Sequence, residues 1–249
     1  MLYIICSWFL LFLLYSIIGY IAEIICVSLT CKRLVFNRGF LIGPYLPIYG
    51  FGALIMVLFL KRYESDLVAL FVMGAFFCTV LEYFTSLIME KIFKLRWWDY
   101  SDKKFNINGR VCLDNAILFG IGGVLVVKVV QPVLAEFIYL LPSWLTICLA
   151  IFLFIIFISD IVESCYITAR LKINVSNYIH KDATREIKKE VIKAIRKHTT
   201  LTARLLKAFP NVSYGRNKGF MEFLKLFENT KRDMKIQKLK SKIKEEKGK

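Results

Sequence analysis

Apolar runs of bilayer length constrain this chain more than any other feature. Residues 2–30, 67–90, 111–130 and 143–168 are each long and oily, and a helix of about 20 such residues crosses roughly 30 Å of hydrocarbon. A fifth, shorter run covers residues 47–60. Backbone in lipid must satisfy its own N–H and C=O groups, so runs of this kind form helices. The chain is 57% hydrophobic with a mean hydropathy of +0.55, which excludes an ordinary soluble domain. The expected fold is an all-α integral membrane protein with five transmembrane helices.

Charge sets the orientation and divides the chain. Residues 1–168 carry 12 Lys/Arg against 11 Asp/Glu, whereas residues 169–249 carry 23 against 8. The net charge of +16 therefore belongs almost wholly to the tail. Three basic residues lie in 31–46 and six in 91–110, while 61–66 balances two against two acids and 131–143 has none. Cytoplasmic loops carry the Lys/Arg excess, so the N-terminus is expected outside and the C-terminus inside. Two domains follow: a transmembrane domain, 1–170, and a basic cytoplasmic helical tail, 171–249. In residues 182–209, Ile187, Val191, Ile195, Leu201 and Leu205 recur on a helical period among basic residues. Such a helix can lie on anionic head groups or pack on a partner.

The non-helical punctuation is as informative as the runs. Gly39, Gly43, Pro44, Pro47, Gly50 and Gly52 keep RGFLIGPYLPIYGFG (38–52) from starting a regular helix early. Backbone broken at membrane depth must be buried in protein or face water, so this stretch reads as a re-entrant piece leading into the second span. The loop WWDYSDKKFNINGR (97–110) is dense in aromatic and hydrogen-bonding groups. Trp97, Trp98 and Tyr100 suit an interfacial aromatic belt, but Asp99, Asn106, Asn108 and Arg110 add the groups that grip a polar head group or small anion. Asn108 could equally be the N-cap of the fourth span.

Acids in hydrocarbon cost at least about 2.5 kcal/mol each. Glu23, Glu82, Asp114, Asp160 and Glu163 fall at one level of their spans, which suggests a shared polar cavity, although Asp114 and Glu163 lie near enough to span ends to be solvated. Thr79, Glu82, Ser86 and Glu90 recur every three or four residues on one stripe, expected to face the bundle. Glu82, Asp99, Asn106 and Arg110, with Glu23 and Arg38 on the same side, are expected to line one cytoplasm-facing pocket, in which Glu82 pairs with Arg38 or Arg110, holds a cation, or titrates near neutrality. Gly120, Gly122 and Gly123 should let the fourth helix approach a neighbour closely, and Gln131 and Pro132 should end it in a linker that holds Glu136. The seven cysteines show no metal or redox spacing and read as small buried residues. His180 and His198 both lie in the tail. No phosphate loop, H-E-x-x-H or G-x-S-x-G occurs, so ATP-driven transport needs a separate ATPase subunit. No metal or cofactor is expected, and nucleic acid is not an expected partner.

The pairing of GPYLPIYG (43–50) with WDYSDKKFNINGR (98–110) resembles a bacterial family of small permease-like membrane proteins, the ABC-transporter type IV family. The likeness covers about residues 1–170. It singles out Gly43, Pro44, Pro47, Ile48, Tyr49 and Gly50, then Trp98, Asp99, Tyr100, Ser101, Phe105, Asn106, Gly109 and Arg110. It implies a transport-related protein of the plasma membrane, which adds Tyr49 and Tyr100 to the expected substrate-binding residues. Beside the permease or substrate-binding subunit stand two other readings: a membrane-embedded enzyme acting on a lipid or amphiphile at the inner leaflet, and a structural or regulatory membrane protein that recruits partners through its basic tail.

Overall fold

A computed structural model describes residues 1–32 and 39–180, and from the tail residues 202, 204, 205, 208, 209, 229, 232 and 236. The described residues are 79% helical. Its elements are α1 (Leu2–Cys31), α2 (Pro47–Leu60), α3 (Leu67–Phe93), β1 (Asn106–Ile107), β2 (Val111–Cys112), α4 (Leu113–Leu125), α5 (Gln131–Tyr139) and α6 (Ser143–His180). Among the described residues, four helical stretches are long and apolar enough to cross a membrane: Leu2–Leu29, Leu67–Phe93, Leu113–Tyr139 and Ser143–Ile173. The chain is a membrane protein. With 14 residues, α2 is about 21 Å long, short of a full crossing by itself.

α2 starts where it does because Pro47 stands in its first turn, where a missing N–H costs nothing. The residue before it, Leu46, donates its N–H to the carbonyl of Ser16 at 2.9 Å. Ser16 lies halfway along α1, so α2 begins at mid-helix depth and packs back along α1. Cys6, Leu10, Leu11 and Tyr15 of α1 meet Ala53 and Val57 of α2 in one buried cluster. α3 is launched by Asp66, whose carboxylate accepts from the N–H groups of Val68 and Ala69, both at 3.0 Å. Along α3 the buried face runs through Leu70, Gly74, Cys78, Glu82 and Ser86 at intervals of four. Gly74 stands against Gly123 of α4, and a Cβ on Gly123 would lie 3.3 Å from the Gly74 Cα. That crossing is the expected small-residue contact; Gly122 takes no part, for its Cβ would meet open space.

Several expectations need correction. The fourth crossing does not stop before Gln131. It continues through a π-helical turn, Val126–Val130, in which the N–H of Gln131 reaches back to the Val126 carbonyl, into α5, where Pro132 stands in the first turn. Gln131 is buried and accepts from the Tyr15 hydroxyl of α1, and Glu136 lies on α5, not in a linker. Asn108 does not cap the fourth span: the N-cap of α4 is Cys112, and Asn108 sits in a β-hairpin that an all-helical reading omits. Of the cysteines, Cys6, Cys78 and Cys112 are buried, while Cys26 and Cys148 are exposed. α6 continues past residue 170 to His180, and Lys172 ties it to the end of α3 through the Ile92 carbonyl at 3.1 Å.

Candidate functional site

The loop between α3 and α4 is folded by its own sequence. Asn108 and Gly109 both adopt positive φ, 53° and 63°, and the N–H of Arg110 closes the turn on the Ile107 carbonyl at 3.0 Å. An Asn-Gly pair of this kind makes a type I′ turn, whose twist suits a hairpin. A Cβ on Gly109 would lie 2.4 Å from both Asp99 Oδ1 and Ser101 Oγ, so only glycine fits. Asp99 accepts from the Ser101 hydroxyl at 2.6 Å and N–H at 3.0 Å. Burial works against its charge, but the Ser101 bonds, followed by Arg96 at 3.5 Å, hold its carboxyl below the usual carboxylate range. Asn106 donates to the Lys103 carbonyl at 2.7 Å and accepts from the Gly109 N–H at 2.9 Å. Asp99 and Asn106 therefore brace the turn.

That bracing carries a test. Asn106→Ala removes both bonds and is expected to cost about 1–2 kcal/mol, read as a lower melting temperature of the purified protein. A wild-type melting temperature would show that the turn holds without it.

The loop and its hairpin aim Tyr100 and Arg110 at α3, the Tyr100 N–H being held by the Gly109 carbonyl at 2.7 Å. The Tyr100 hydroxyl donates to Glu82 Oε1 at 3.2 Å, and Asn115 of α4 donates to the same oxygen at 3.3 Å and to the Tyr100 hydroxyl at 2.8 Å. Burial, and then the Glu82 carboxylate, push the Tyr100 phenol above its ordinary range, so it remains a neutral donor. One turn along α3, Arg110 donates to Ser86 Oγ at 3.0 Å and pairs with Glu90 at 2.8 Å. Arg110 is thus the partner of Glu90 and not of Glu82. Glu23 of α1 accepts from the Tyr49 hydroxyl at 2.7 Å and is close enough to Glu82 to act on it electrostatically.

The structure therefore brings Glu23, Tyr49, Glu82 and Tyr100 together, with Arg110 one turn away. Arg38 lies outside the described residues. The acids do not share one cavity. Asp114 pairs with Lys103 at 3.4 Å near the surface, Glu163 is exposed, and Asp160 holds the broken segment after α1. Its carboxylate accepts from the N–H of Ile42 at 2.8 Å and Gly43 at 2.7 Å, from the Tyr45 hydroxyl at 2.5 Å and from Ser164 at 3.0 Å.

Residues 10–165 match the family model described as "Putative ABC-transporter type IV". The chain belongs to that family. The match spans more than half of the chain and contains both loops and every residue of the cluster. No curated protein and no solved structure matches the chain. The family match also ends short of the tail, which nonetheless touches this region. Arg204 donates to the Leu41 carbonyl at 2.9 Å, and the ring of Phe209 stands 4.9 Å from that of Trp97. Leu205 and Ala208 are buried. The rest of the 182–209 helix expected on the membrane surface lies outside the described residues.

Asn115 and the clamp made by Asp160 were missed as partners. Asn115 directly follows Asp114 at the start of an oily run, where a cap or solvation explains a polar residue equally well. For the hairpin the signal was present: N-G in FNINGRV is the strongest short-range hairpin mark.

Proposed function

We propose that the protein is a permease or substrate-binding subunit of a membrane transporter, with the Glu82 cluster as its polar binding site, open toward the cytoplasm. The observation that carries this reading is the gathering around a buried carboxylate, Glu82, of Tyr100 from the loop between α3 and α4 and Asn115 from a second long helix, both bonded to it, with Tyr49 from the first turn of α2 and its partner Glu23 beside them. Polar groups gathered where helices are interrupted at membrane depth suit a solute path. In this reading Glu82, Tyr100 and Arg110 touch the solute, with Glu23 and Tyr49 behind them, and Asp99 and Asn106 hold the hairpin in place.

The same proposal covers the topology. α2 and the segment before it together make the second of five crossings, the N-terminus lies outside and the C-terminus inside, and the membrane is the plasma membrane. The alternation of basic loops supports this orientation. The transmembrane domain ends near residue 170, the basic tail engages anionic head groups, and an ATPase, if transport is driven by ATP, is a separate subunit.

The test compares solutes and lipids in cells lacking the protein with cells making the wild type, Glu82→Gln or Arg110→Lys. Both substitutions keep size while removing a charge or the planar fork. Some solute is expected to change its distribution across the membrane with no lipid altered in structure, and both variants, inserted at wild-type levels, should behave as the deletion does. An altered lipid would replace the permease by a membrane enzyme. Variants that behave as wild type would remove the cluster from the site.

A further inference from the structure

Two buried oxygens in the cluster have no hydrogen-bond partner among the described residues, Glu82 Oε2 and Thr79 Oγ1. They come from residues three apart on α3, and so from one face of the helix. Glu82 is only 6% exposed, and both of its donors, Tyr100 and Asn115, use the other oxygen. Among the described residues the groups around it are Glu23 from α1, Tyr49 from α2, Cys78 on α3 itself, Tyr100 from the loop before the hairpin and Asn115 from α4. None is basic. Arg110, the nearest guanidinium on the hairpin, is taken by Ser86 and Glu90. Among the described residues the surroundings thus hold a second carboxylate, and no basic side chain of those residues reaches Glu82, an arrangement that apolar surroundings penalise heavily.

We propose that Glu82 Oε2 is the seat of one monovalent cation, a proton or a sodium ion, with Thr79 Oγ1 as a neutral ligand to the sodium and Glu23 as the second nearby charge. A divalent ion fits less well. No group of three His, Cys, Asp or Glu side chains gathers among the described residues, whereas calcium typically takes about 6–8 oxygen ligands, several from carboxylates. Where both cations bind, sodium entering the site displaces the proton, which leaves to the medium. This inference rests on the proposed binding site and names a ligand of it: an ion that accompanies or gates the solute.

The test uses the purified full-length protein in lipid nanodiscs, with wild type, Glu82→Gln and Thr79→Val side by side. Sodium chloride is added against choline chloride at equal ionic strength while melting is followed, and protons bound are counted by potentiometric titration. If sodium is the occupant, it raises the melting temperature of wild type by about 5 °C at a concentration well above its dissociation constant. Glu82→Gln abolishes the rise and Thr79→Val weakens it several-fold. If the proton alone binds, sodium has no effect and wild type takes up one proton more than Glu82→Gln. Should Glu82→Gln fail to fold, the carboxyl band in the infrared spectrum of wild type, followed against pH and sodium, replaces it. Identical proton uptake with no sodium response, or a carboxyl band indifferent to both, overturns the inference. If wild type binds neither cation but Glu82→Gln still loses the solute phenotype, the proposed function stands and this inference alone falls.

Discussion

Asp160→Ala is expected to destabilise the protein by on the order of 3 kcal/mol and to open residues 39–46 to proteolysis. The reason lies in what the carboxylate does in the fold. A segment with Gly39, Gly43, Pro44 and Pro47 cannot form helix, so its N–H groups lack the internal partners that a helix supplies. Asp160, projecting from α6, takes two of them, from Ile42 and Gly43, and a third donor, the Tyr45 hydroxyl. Hydrogen bonds to a charged group are worth about 1.5–3 kcal/mol each, and a donor left unpaired carries its own desolvation cost. Asp160→Asn should recover only part of the loss, because its amide brings one acceptor oxygen and an NH2 group that faces donors. Melting and limited proteolysis of the two variants in detergent check this. A wild-type digestion pattern for Asp160→Ala would mean that the segment is held by something other than this clamp.

How far the chain could be read in advance depended on the range of each signal. The apolar runs and the polar stripe on α3 are local, and they marked the helices and the buried face through Glu82 and Ser86. The ends were less legible. Gln131 and Pro132 look like a terminus in the sequence, but a buried hydrogen bond from Tyr15, more than a hundred residues earlier, makes Gln131 an interior residue, and a π-helical turn leads straight into α5. The acids were recognisable as important by their depth alone. Their partners were not, since one oxygen of Glu82 is met by Asn115 and Asp160 by backbone more than a hundred residues away in the sequence, and neither pairing leaves a periodic trace. Arg110 could be seen to need a carboxylate. That it takes Glu90, two turns from Glu82, follows from where the Asn-Gly turn points it, which is a matter of three-dimensional aim.

Gly50→Ala should cost about 3 kcal/mol, although alanine is the better helix former. A Cβ at Gly50 would lie 2.3 Å from Ser16 Oγ and 2.7 Å from the Phe12 carbonyl oxygen. The hydroxyl can rotate away, but the carbonyl belongs to the backbone of α1 and cannot. The contact is reciprocal, for a Cβ at Gly19 of α1 would lie 2.3 Å from the Tyr49 Cβ of α2. One methyl group must therefore push α2 off α1 along the line that sets Tyr49 against Glu23. Gly122→Ala provides the control. It adds the same methyl to a helix in the same membrane domain, but in open space, so it should be neutral or stabilise by up to about 1 kcal/mol through the propensity of alanine. Melting temperatures of the two variants decide the matter. Equal values would show that α1 and α2 are not locked at this point, and the depth at which α2 begins would then need another cause than the fit of Gly50 against Phe12.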